Sequence, residues 1–398
     1  MFAALRNRAQ RRDLELAHRL HDEGGRLGEQ GRWAEAESTL RQAVELCTRR
    51  FGADGGWTLV IRTSRVAVLR QLDRGDEALA ELQALLVHCP TALGEAHAAT
   101  AEVRVELASM LISRGRPAEA EQLLSVVLRH RSAPDRRALA ALDARLRAKT
   151  AQGRHREAVD GSRELQEQSA RVYGANDIRT LKVASDRVQN LVQLGEYEQV
   201  ERECLALLDL HGTPDLLWLA VMNALVMALN GLGRHGEAEE AAREALRRQR
   251  EVQQPSGHMR IALSLGLARS LSGSGRHEEA LQVATRAEAE FRDGPTVRVT
   301  LAAPIATVTA QALLGLGRPE EAEAASRKAV ELAAPLGPTH HSALEAATTL
   351  GSALAAQQRH TEARDQLTRC ATAWRDRFGA EHPRTRAAGA ALAALPIA

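Results

Sequence analysis

The chain has 398 residues and a formal net charge of +2, from 53 Lys and Arg against 51 Asp and Glu, which excludes the broad basic field of a dedicated nucleic-acid binder. Charged residues at 26% and hydrophobic ones at 44% exclude a disordered chain, and aromatic content of 3% argues against a sheet-rich fold. Four scattered cysteines, Cys47, Cys89, Cys204 and Cys370, form no disulfide framework or short-spaced zinc site, and no window is apolar enough for a signal peptide or a membrane span, so the cytoplasm is the expected location.

Along the chain one phrase, Gly-Arg-x-x-Glu-Ala, recurs. Its copies begin at Gly31, Gly115, Gly153, Gly233, Gly275 and Gly317, with weaker copies at Asp73, Gly195 and Gln358. The intervals are 42, 42, 38, 42, 38, 42, 42 and 41 residues, too regular for chance. Each copy predicts the turn between a helix A and a helix B. Glycine supplies the left-handed residue that ends helix A, and the glutamate sits in the first turn of helix B, where the helix dipole favours a carboxylate. The small alanine that follows lets the two helices approach closely.

Two further columns repeat with the phrase. Twelve residues before its last position lie Gly24, Val66, Ala108, Leu146, Val188, Val226, Ala268, Ala310 and Gly351. Seven residues after it lie Ala43, Leu85, Val127, Leu165, Leu207, Ala245, Ala287, Ala329 and Cys370. Together they predict a packed apolar seam. Prolines mark the joints between repeats, at Pro90, Pro134, Pro214, Pro255, Pro295, Pro335, Pro338 and Pro383. Pro304 falls inside a predicted helix, which should therefore start late or kink.

The pattern resembles the tetratricopeptide repeat, and more narrowly its roughly 42-residue form known from kinesin light chains. The connector of that form survives as Phe51-Gly52…Thr58-Leu59, Tyr173-Gly174…Thr180-Leu181 and Phe378-Gly379-Ala380-Glu381-His382-Pro383-Arg384-Thr385. The resemblance implies an all-α, right-handed superhelical solenoid of about nine repeats, read as a single domain over 1–398. The repeats fall near 10–50, 55–92, 95–132, 134–173, 176–211, 213–252, 255–293, 295–335 and 338–378, with a capping helix at 382–395. It also implies a scaffold that binds a protein or peptide in a concave groove lined by the A helices, without catalysis or a cofactor. The alternative is a peptide- or partner-sensing regulator of a bacterial pathway, with an enzyme on a solenoid less favoured. No nucleic-acid or membrane partner is expected, and the alanine-rich C-terminal helix could mediate self-association.

Projecting the repeat frame onto that groove selects Asp143, Arg147, Lys182, Gln189, Asn223, Met227, Asn230 and Arg269, with Thr150, Ser185 and Ser272 beside them. Asn223 and Asn230 lie two turns apart on one face, and a carboxamide both donates to and accepts from a peptide main chain. Met227 between them offers adaptable apolar contact. The mixed charges suggest a peptide carrying both signs. His155, His235, His277 and His360 recur in the turns, where copying of a turn residue is favoured over a metal array. His18 and His21 could share a helix face as metal ligands, whereas His340 and His341 cannot point the same way on a helix.

Overall fold

The computed structural model describes residues 2–130, 135–210, 212–252, 257–293 and 299–396, with side chains from Arg12 onward except at 293, 299 and 300. The joint prolines Pro134, Pro255 and Pro295 lie outside these residues. The described residues form nineteen α-helices and one short 3-10 turn, and the chain divides into two compact units, Met1–Val172 and Tyr173–Ala398.

In the first unit the pairs are α1 (Phe2–Glu29) with α2 (Trp33–Phe51), α3 (Gly56–Gln71) with α4 (Gly75–Leu93), α5 (Ala98–Ser113) with α6 (Pro117–Arg129), and α7 (Arg136–Ala151) with α8 (His155–Tyr173). The second contains α9 (Ile178–Leu194) with α10 (Tyr197–Leu208), α11 (Asp215–Gly231) with α12 (His235–Glu251), and α13 (Gly257–Gly273) with α14 (His277–Asp293). There follow α15 (Val299–Gly315) with α16 (Pro319–Ala333), the 3-10 turn Ala334–Leu336, α17 (His341–Ala356) with α18 (His360–Phe378), and a final α19 (Pro383–Ala393). Nine helix pairs and one extra helix therefore follow the nine phrases. Pro304 lies within α15, which begins five residues ahead of it, so the late start does not occur.

The phrase acts as a structural unit. Its first residue has positive φ, and the arginine N–H then reaches back to a helix A carbonyl, as from Arg32 to Leu27 at 2.9 Å. That arginine also forks onto the glutamate three residues on, as Arg116 does to Glu119 with two bonds of 2.6 Å. The same fork closes the turns at Arg154, Arg276 and Arg318. Hydrogen bonds from Arg154 and Lys149 hold the Glu157 carboxyl down at about 2. These pairs are exposed, and their main effect is to fix the helix B start. Only repeat five lacks the fork, because Glu196 and Gln199 replace its members.

Two turns place a residue with a side chain where the others place glycine: Asp73 at φ 58° and Gln358 at φ 61°. A β-carbon there is penalised, for glutamine more than for aspartate. Gln358→Gly should therefore raise stability by about 0.5–1 kcal/mol, and Asp73→Gly by less. Urea unfolding of the two variants measures the difference, and a destabilised Gln358→Gly contradicts it.

The seam packs as the columns predict, with two exceptions. Ala36, Ala78, Ala120, Ala238, Ala280, Ala322 and Ala363 are fully buried, whereas Leu146 and Leu207 are half-buried. Leu146 is accommodated by Gly161 on the facing helix, where a β-carbon would lie 2.6 Å from its Cδ2. The four cysteines are free and buried among these apolar side chains, and burial pushes the Cys204 thiol up to about 12. In the connectors a threonine hydroxyl donates to the glycine carbonyl six residues back, at 2.8–2.9 Å in Thr58, Thr180 and Thr385. Thr100 does the same to Gly94, a fourth connector that its sequence does not advertise.

Candidate ligand-binding cavity

In the second unit the A helices α9, α11, α13, α15 and α17 curl until α19 meets the turn after α9. The meeting point is specific. Pro383 packs so closely on Gly195 that a β-carbon there would lie 2.5 Å from the proline ring. His382 is buried, and its Nε2 donates to the Gln193 carbonyl at 3.2 Å while its Nδ1 accepts from the Arg384 amide, capping α19. This arrangement fixes the neutral Nε2–H tautomer. The ring stacks on Trp374 with centroids 5.7 Å apart and lies 5.0 Å from that of Phe378. Burial lowers the imidazole pKa to about 4, with Arg384 adding to it against the opposing Gln193 carbonyl.

The curled row borders a cavity of about 610 Å³ that is open to solvent on one side, within the range of small-ligand pockets. Tyr197, Met227, Leu265, Leu301, Pro304 and Trp374 supply apolar and aromatic wall, and Asn223 and Gln311 supply carboxamides. A brace crosses it. Arg269 of α13 donates to Glu345 Oε1 of α17 at 3.0 Å, and Arg384 of α19 pairs with Oε2 at 2.7 Å. Burial works against the Glu345 charge, but the two guanidinium groups outweigh it and hold the carboxyl at about 2. Arg384 in turn is kept protonated by Glu345 and the Tyr197 phenol.

Of the eight projected groove residues, Asn223, Met227, Asn230 and Arg269 line this cavity. Asn223 has no side-chain hydrogen bond among the described residues and is half-buried, so its amide is available to a ligand. Asn230 is not. It donates to the Gly266 carbonyl at 3.1 Å and to Ser270 Oγ at 3.0 Å, and it accepts from His235 Nδ1 at 3.1 Å. It therefore ties α11 to α13. Gln189 is likewise engaged, donating to the Ala220 carbonyl at 2.9 Å. Lys182 pairs with Asp186 at 2.5 Å on its own helix. Asp143 and Arg147, in the first unit, pair with each other at 3.1 Å, and Arg147 also reaches Ser109.

The histidines resolve one by one. His235 and His277 seat their rings against Gly273 and Gly315 of the next A helix, where a β-carbon would lie within 2.4 Å. Tyr197 does the same at Gly231. These turn residues are therefore packing elements. His18 stacks edge-on against Trp57 while His21 meets Ser64 Oγ at 2.9 Å, so the two serve different contacts. His340 and His341 correct the sequence expectation: their ring centroids are 4.2 Å apart and both border the cavity. The reason is that His340 is the N-cap of α17, outside the helical geometry that would separate them.

The projection missed Tyr197, Glu345, Trp374, His382 and Arg384. The connector motif marks His382, but nothing local shows that it meets a carbonyl 189 residues earlier.

Family models described as tetratricopeptide repeat match residues 218–292 and 305–376, 16–55 and 101–125. No match is found among curated proteins. Among solved structures, the chain is similar to the Rap protein complexed with Competence and Sporulation Factor, with 13% identity, coverage of 84% of this chain and 98% of that one, and a TM-score of 0.56. It is also similar to NprR in complex with its cognate peptide NprX, at 15% identity, 83% and 82% coverage and a TM-score of 0.51. At these identities the likeness concerns the fold. With its repeated turns, its packed seam and these matched segments, the chain belongs to the tetratricopeptide-repeat proteins.

Proposed function

We propose that the chain binds a short peptide or protein segment in the cavity of the second unit and performs no chemistry of its own. The observation that carries this reading is Asn223. Its carboxamide has no hydrogen-bond partner among the described residues and sits on the cavity wall beside Met227. Such a group pairs with a main-chain amide whatever the ligand's side chains, while the partly exposed Met227, Leu301 and Pro304 take its apolar ones. Gln311 offers a second carboxamide from α15.

A sensing role is the second reading. It is favoured by the two similar structures, each solved with a signalling factor or cognate peptide bound. In that role ligand binding would bias the closure at His382. Asn223→Ala should weaken retention of short peptides about three- to tenfold while leaving thermal unfolding unchanged, because its amide supports no other residue. Affinity selection from random short-peptide pools measures this. Unchanged retention by the variant removes Asn223 from the site.

A further inference from the structure

The charges along the groove suggested a ligand of both signs, but most of them neutralise each other on the protein. Asp143 pairs with Arg147, and Lys182 with Asp186. Inside the cavity the balance is incomplete. Two guanidinium groups, Arg269 and Arg384, share Glu345, the single carboxylate among the described lining residues. His382 is held neutral by burial and adds no charge.

We propose that this cluster is one carboxylate short, and that the ligand supplies it: a short peptide bearing a single carboxylate, at its C-terminus or on a side chain. This rests on the peptide-binding reading above and names the ligand's charge. Each guanidinium has five N–H donors, more than its contacts with Glu345 and, for Arg384, with the Tyr197 phenol occupy, so both retain donors for a second carboxylate. Both side chains stay partly open to the cavity, 21% exposed for Arg269 and 28% for Arg384. A second carboxylate makes two cations and two anions in a partly dry space. A cationic group there meets two arginines, and a neutral one leaves the excess charge unanswered. On this account α19 is part of the binding wall as well as a cap, since it contributes Arg384.

The test uses the full chain and three pools of short random peptides built from apolar and neutral residues, all N-acetylated. One pool is amidated at the C-terminus, one keeps the free carboxylate, and one is amidated but carries a single glutamate. Affinity selection with mass-spectrometric readout gives relative retention. The expected result is about tenfold preference for one or both carboxylate pools over the neutral pool, with the two pools separating terminus from side chain. Arg269→Gln, which leaves Glu345 paired with Arg384, should abolish the preference while the neutral pool is still retained. Added salt should shrink the preference in the unaltered protein, a readout independent of any variant. Equal retention of neutral and anionic pools overturns the inference and leaves peptide binding intact. No retention of any pool overturns both.

Discussion

Replacing Glu345 by glutamine is expected to destabilise the second unit by about 2–3 kcal/mol, more than any substitution on the helix B surfaces. The substitution keeps the shape but leaves Arg269 and Arg384 facing each other without a counter-charge. Removing one partner of a buried ion pair costs about 3–5 kcal/mol. Here all three side chains retain some exposure, 13% for Glu345, which reduces the figure. Arg269→Gln should cost much less, because Glu345 keeps Arg384. Native-state hydrogen exchange of α17 and α19 reads both variants. If they are equal, the brace is not the source of the effect.

His382→Ala should have a comparable effect, about 2–4 kcal/mol, through three losses at one position. The α19 N-cap disappears, the Gln193 carbonyl loses its donor, and the ring leaves a gap beside Trp374 and Phe378. The histidine also makes closure pH-dependent. Its ordinary pKa of 6.5 falls to about 4 in the folded unit, so the unfolded chain takes up the proton first. The contribution is complete above pH 6.5 and declines as pH falls towards 4, by about 3 kcal/mol in total. Glu345 acts lower, since its stabilisation is present above 4.5 and fades as pH falls towards 2. As pH falls from 6.5 to 4.5 the hydrogen-exchange protection factors of α19 should therefore fall in the unaltered protein, and His382→Gln should lose that slope. The same slope in the variant would assign it to another group.

Much of the fold is written in short-range pattern. A glycine, an arginine, a glutamate and an alanine within six residues encode a turn, a fork and a helix contact, and nine copies encode nine pairs. The seam columns follow from the same frame. Pattern of this kind reports neighbours in sequence and in the next repeat, and nothing further away. Arg269 and Glu345 are two repeats apart, and Gln193 and His382 lie at opposite ends of the second unit. The cavity was therefore invisible, although the frame placed Asn223, Met227, Asn230 and Arg269 on its wall. It also could not tell the available amide of Asn223 from the engaged one of Asn230. That difference depends on Ser270 and Gly266 of the following repeat.

Hydrogen–deuterium exchange of the full chain, with and without a peptide recovered from the retained pools, tests whether a ligand peptide occupies the cavity of the second unit. Slowed exchange in α11, α13 and α19 is the predicted result. Protection confined to residues 12–172, or to the helix B faces of the second unit, contradicts it.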